Sequence, residues 1–243
     1  MKLLLIAVTA LCAVPVSQAA TPAEALISKS RAALGTEAAL NAVRTLKVEM
    51  TAADGEGKSL GPVISEYKVP MKQREIDYTT PNFEVVTAID GSEGHRVVQR
   101  MDTKQRELQI MPAPEVNMRR DFACANLYLM AAPNAERGTV EIAPDETVEG
   151  VPCAALDYKY KTGITLRRYI EKSSGRLLAT RINQAAKTGD LMVNKGDQLV
   201  AGIHYPTSIV ILDSAGKTTR TLTVTKVEVN GEIDDSHFAT PIF

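Results

Sequence analysis

The sequence predicts an α+β fold, an antiparallel β-sheet curved around one or two helices. Three observations point there. From Leu46 onward, apolar and polar residues alternate in short runs that recur about every ten residues, with turn signals between them. Helical spacing is confined to the N-terminus and to one interior stretch. No internal repeat or low-complexity linker divides the chain, so residues 20–243 are expected to form one domain of roughly ten strands.

Residues 1–19 are expected to be removed. In MKLLLIAVTALCAVPVSQAA a single Lys leads an apolar run, and Ser17-Gln18-Ala19 places small residues where a signal peptidase needs them. The run before Pro15 is short for a membrane span, and no other long apolar segment follows. Leu11, not a small residue, precedes Cys12, so Cys12 belongs to the apolar run and not to a lipid anchor. The mature chain is expected to be soluble outside the cytoplasm, without a transmembrane segment.

Thr21-Pro22-Ala23-Glu24 combines a capping box with Pro at the first helical position. Ala25, Leu26, Ala33 and Leu34 keep a helical spacing up to Gly35, and Thr36-Glu37 restarts a short helix carrying Leu40 and Val43. Leu46, Val48 and Met50 then alternate with Lys47 and Glu49 as a half-buried strand. After a polar connection at 53–61, strands are predicted at 63–69, 73–79, 83–89 and 95–99, with Asp90-Gly91 as a turn. Between Pro114 and Pro133, Met118, Phe122, Ala125 and Leu129 recur at helical spacing and leave Arg119 and Arg120 on a polar side. Strands resume at 140–148, 154–160, 165–171, 177–184, 199–204, 208–212 and 221–229.

Composition removes several function classes. A formal net charge of −1 carries no electrostatic footprint for nucleic acid. Aromatics make up 5% and Trp is absent, which argues against stacking platforms. His95, His204 and His237 fall in three separate elements, so Asp234, Asp235 and His237 would need a distant partner to hold zinc, and no metal or cofactor is expected. There is no GxSxG elbow, no phosphate loop between strand and helix, and no motif around a Cys. The expectation is a protein that is not an enzyme; a hydrolase with an unrecognised site is a third and weaker reading. Cys124 and Cys153 remain after signal removal, and they either form a disulfide or stay as two buried thiols.

What is left is apolar surface. Val48 and Met50, Tyr67 and Val69, Ile76 and Tyr78, and Phe83 and Val85 give neighbouring strands one apolar side each, facing a helix that carries Met118, Phe122 and Leu129. Such a lining takes an acyl chain by burying methylenes, each worth about 0.8 kcal/mol. The same side chains could equally fill a core, and the protein would then be an envelope module that binds another protein.

Several stretches together resemble the periplasmic outer-membrane lipoprotein carrier and sorting family, the LolA/LolB-like half-barrels. ALGTEAALNAVRTLKVEM looks like that family's entrance of helix, Gly, short helix and first strand, and AIDGSEGHRV like its Asp-Gly turn. TVEGVPCAALDYKY followed by RRYIEKSSGRLLATRI resembles its paired strands; GIHYPTSIVI and VTKVEVNGEIDDSHFATP look like its closing elements. The resemblance runs from about Ala25 to Pro241. It implies a half-barrel, a curved antiparallel β-sheet forming an incomplete barrel with helices covering its concave face, that holds acyl chains of a lipid or lipoprotein there without catalysis. It implies the periplasm, with secretion as the alternative, and it leaves room for an envelope protein partner. Two features depart from the family: His95 stands where relatives tend to carry Trp, and aromatics are few. The C-terminal GEIDDSHFATPIF is read as a terminator, with Ile233 and Phe238 as anchors and Asp234-Asp235-Ser236 as a polar turn between them.

Overall fold

Capping sets the first elements of the computed structural model, which describes residues 20–184 and 189–242. Residues 1–19, with the expected signal and its cleavage, lie outside the described residues. In α1 (Pro22–Leu34) the Thr21 hydroxyl accepts from the Glu24 N–H at 3.3 Å while the Glu24 carboxylate accepts from the Thr21 N–H at 2.7 Å, the reciprocal cap the sequence predicts. Thr36 caps α2 (Glu37–Asn41) through the Ala39 N–H. Gly35 joins the two helices against a β-bridge to Ile203. A Cβ there would sit 2.5 Å from the Gly202 carbonyl oxygen, so only glycine allows this approach.

Strands β1 (Thr45–Asp54), β2 (Ser59–Lys68), β3 (Lys72–Asp77), β4 (Phe83–Asp90), β5 (Glu93–Arg100) and β6 (Arg106–Ile110) form a meander, followed by α3 (Ala113–Leu127). A second meander follows: β7 (Gly138–Val148), β8 (Val151–Tyr160), β9 (Ile164–Glu171), β10 (Leu177–Gln184) and β11 (Leu191–Lys195). The chain continues through β12 (Gln198–Val200), β13 (Ile203–Tyr205), β14 (Ser208–Leu212) and β15 (Thr218–Val229). Thirteen strands make one antiparallel sheet in the order β6-β5-β4-β3-β2-β1-β15-β14-β11-β10-β9-β8-β7. β6 and β7 are its unpaired edges, so the barrel is incomplete, as expected.

Three details correct the expected strand pattern. The run 199–204 is two strands, because Ala201 and Gly202 both take positive φ and make a tight reversal between β12 and β13. β6 and β11 are additional strands. β6 is an edge with almost no buried side, so no apolar alternation marks it.

α3 lies in the concavity and packs on both halves of the sheet. Its Val116, Ala123 and Leu127 are buried toward β1–β5, while Met118, Phe122 and Ala125 pack against Leu156, Tyr158, Leu166 and Ile170 of β8 and β9. Arg31 of α1 fastens the cover: its guanidinium donates to the Tyr128 and Leu129 carbonyls, both at 2.9 Å, and grips Glu37 of α2 at 2.7 and 2.8 Å.

The opposite, outer face carries the C-terminal tail. Glu66, Arg74, Ala88 and His95 form one cross-strand row there. His237 Nδ1 lies 3.1 Å from the Glu66 carboxylate, and Thr240 lies 3.4 Å from His95. Lys72 sits 5.8 Å over the Phe238 ring, and Phe238 is 1% exposed. Asp234 caps a single 3-10 turn, Asp235–His237, by accepting from the Ser236 N–H, and Asp235 pairs with Lys68 and Lys72 at 3.0 Å each. Cys124 and Cys153 are buried free thiols, not a disulfide. Cys124 belongs to α3 inside the concavity. Cys153 packs with Ala155, Tyr169 and Val193 on the outer side, and burial pushes both thiols up.

Candidate functional site: an apolar cavity on the concave face

Pair register decides which side chains look inward. Val48 of β1 stands opposite Ser65 and Val227, Tyr67 opposite Gln73, and Ser65 opposite Glu75, so these residues share one face. The α3 helix does not fill the space under them. A cavity of about 850 Å³ remains between the sheet, α3 and the β12–β13 hairpin. Leu46, Val48 and Met50 line it from β1, and Leu222, Val224 and Val227 from β15. Ile209, Met192, Ile182 and Leu166 complete the far wall, and Phe122, Ala125, Leu129 and Met130 form the roof.

Five of the residues expected to line a pocket meet here: Val48, Met50, Tyr67, Phe122 and Leu129. Val69 and Met118 are half-buried instead in the packed regions beside the cavity, Val69 near Leu40 and Leu46, and Met118 near Leu156. Phe83 and Val85 share the inward face but lie outside the lining, half-buried at the start of β4, away from Ile89 where Val116 of α3 packs. Ile76 and Tyr78 point the other way. Ile76 pairs with Ile64 on the outer face, and the Tyr78 hydroxyl donates to Glu84 at 2.5 Å. The far wall from β9 to β15 was not expected, although Leu222 and Val224 alternate as clearly as Val48 and Met50 do.

The wall is not uniformly apolar. Ser65, Gln73 and Glu75 face the cavity beside Arg119 and Asn126 of α3, and the Asn126 amide donates to the Tyr67 hydroxyl at 3.2 Å. Arg119 was expected on the polar side of its helix. It lines the cavity because the sheet surrounds α3 on two sides. Burial holds the Glu75 carboxyl above its ordinary range, with Arg119 opposing and Asp77 adding to the rise. The Tyr205 phenol is pushed up to about 12 by burial alone. At the opposite side Arg168 stacks 4.3 Å over the Tyr158 ring and donates to the Ala125 carbonyl, while Asp197 accepts from Arg176 at 2.9 Å and lies 2.8 Å from His204 Nδ1.

In the densest acid–imidazole cluster of the sequence, Asp235 and His237 hold the tail to the outer face and Asp234 caps the tail's own 3-10 turn. No group of three His, Cys, Asp or Glu that could hold a metal occurs among the described residues. No described helix is long and apolar enough to cross a membrane.

No family model matches the chain, and no curated protein matches it by sequence. Solved structures do match its fold. A DUF1329 family protein from Desulfovibrio piger superimposes with a TM-score of 0.57 at 12% identity, over 90% of this chain and 98% of that one. A LolA superfamily protein from Nitrosomonas europaea gives 0.54 at 12%, over 91% and 99%. A domain assigned to outer-membrane lipoprotein sorting from Vibrio parahaemolyticus gives 0.53 at 11%, over 89% and 97%. The fold is therefore LolA/LolB-like over nearly the whole described chain.

Proposed function

We propose that the protein is a non-catalytic carrier that holds the acyl chain of a lipid or lipoprotein in its concave cavity, outside the cytoplasm, after residues 1–19 are removed. The finer role within this reading is outer-membrane lipoprotein sorting. The observation that carries it is the cavity itself. Its volume of about 850 Å³ falls within the roughly 300–1,000 Å³ of small-molecule sites, and aliphatic residues and Met dominate its walls. Ten methylenes buried there would contribute about 8 kcal/mol before ordering costs, enough for tight yet reversible binding. Met50, Met130 and Met192 supply an adaptable lining for a flexible chain. Open space between the helix and the sheet favours this reading over an envelope module with a filled core.

Titration with a fluorescent fatty acid tests it, supported by native mass spectrometry of protein purified from its own compartment. The wild type is expected to take up the probe. Val48→Glu, inside the lining, should abolish uptake with the circular dichroism unchanged, whereas Val85→Glu, outside it, should retain uptake. A wild type that takes up no lipid probe, or two variants that behave alike, would remove the carrier reading.

A further inference from the structure

The cavity wall contains polar atoms that have no hydrogen-bond partner among the described residues. Gln73 is 6% exposed, and its amide oxygen, Oε1, has no hydrogen-bond partner. Tyr205, 8% exposed, lines the same cavity with an unpartnered hydroxyl. Glu75 accepts no hydrogen bond from a described residue; it lies near the Tyr67 phenol and feels the longer-range charges of Arg119, Asp77, Arg220 and Arg96. The Nε of Arg119 is buried without a hydrogen bond, its nearest carboxylate oxygen being Glu115 at 3.6 Å. Buried polar atoms are normally paired, so the three unpartnered ones of Gln73, Tyr205 and Arg119, beside the Glu75 carboxylate on one cavity wall, mark the outline of a ligand.

Resting on the carrier reading, we infer that this polar wall is a head-group site for a zwitterionic aminophospholipid. Gln73 Oε1 and the Glu75 carboxylate receive a primary ammonium, and Arg119 receives the phosphate. Gln73 and Glu75 stand two positions apart on β3 and project from the same face, about 7 Å apart at their Cα atoms. Side chains converging from that span present two acceptors to an ammonium that has three N–H donors. Arg119, across from them on α3, offers the planar fork that suits phosphate oxygens. The apolar stretch through Val48, Val224 and Ile209 continues from this wall and accepts the chain.

Alternative heads fit less well. A free fatty-acid carboxylate would face Glu75. A trimethylammonium carries no N–H for Gln73 Oε1. A glycerol head can donate to Gln73, yet it leaves Glu75 unneutralised beside an anionic phosphate. Burial already disfavours the ionised form of Glu75, and a bound ammonium would reverse that preference.

The test is displacement of a bound fluorescent fatty acid by three lysophospholipids of one chain length, with ethanolamine, choline or glycerol heads. The wild type is expected to bind the ethanolamine form about tenfold more tightly than the other two, the scale of one charge-assisted hydrogen-bond set. Glu75→Gln and Gln73→Leu should each bring the three within about twofold of one another, with the circular dichroism unchanged. Both changes alter a group that lacks a hydrogen-bond partner, so the fold should survive, and the wild-type ranking stands even if one variant unfolds. Equal affinity for the three heads in the wild type, or a preference that persists in both variants, overturns the head-group assignment alone. Failure to take up the fatty acid at all overturns the cavity reading and this inference with it.

Discussion

Glu75 shows what a single residue does when the sheet curves. Its alternation with Ile76 is plain in the sequence, yet it is the carboxylate that turns inward and the isoleucine that turns out. Burial raises its folded pKa above the ordinary 4.5, so near and above that value the native state holds a proton that the unfolded chain has released. The unfolded state then binds fewer protons, and stability falls as pH rises from about 4.5 through the raised value. Glu75→Gln removes that dependence. Urea unfolding at pH 7 is expected to find Glu75→Gln more stable than the wild type, with the gap closing by about pH 4 where both side chains are neutral. Equal pH dependence in the two proteins would place Glu75 in water. Arg119 lines the cavity for a related reason: a polar stripe on a helix predicts solvent only when one side of the helix is packed, and α3 is packed on two.

At the scale of elements, the helices and most strands were legible because caps and alternation are local. The capping box at Thr21 appears as written, and the strand runs on both sides of Asp90-Gly91 appear in order. Which face is concave is not local. Alternation assigns Ile76 and Tyr78 to a common side but cannot say that this side is the outer one, the face on which the C-terminal tail meets Glu66 and His95. The tail works as an element. Phe238 packs against the outer face, Asp235 bridges Lys68 and Lys72, and Lys68 also donates to the Ile233 carbonyl at 2.8 Å. Phe238→Ala is expected to lower stability by about 3 kcal/mol, measured by urea unfolding, through loss of a fully buried ring. A change within error would mean that the ion pairs alone hold the tail in place.

On the scale of the whole molecule, a half-barrel has two buried regions with opposite responses to added volume. The outer cluster around Ala155, Tyr169 and Val193 is closely packed, with Ala155 0% exposed. The inner face around Val48 borders open space of about 850 Å³. Enlarging a side chain in a filled core typically costs about 1–3 kcal/mol, because neighbours leave their rotamers, whereas the same enlargement into a cavity meets no atoms. Ala155→Phe is therefore expected to destabilise by that amount or more. Val48→Phe should leave the unfolding midpoint nearly unchanged while reducing uptake of a long-chain fatty acid more than of a short one, since the ring occupies volume that the chain needs. Thermal unfolding and probe binding on the two variants check both halves. The sequence could not separate these regions, since Val48 and Ala155 each sit in an alternating strand, and only closure of the sheet around α3 makes one a wall and the other a core. Should Val48→Phe destabilise as strongly as Ala155→Phe, the space beneath β1 is filled in solution, and the protein works through its surface and not through a cargo.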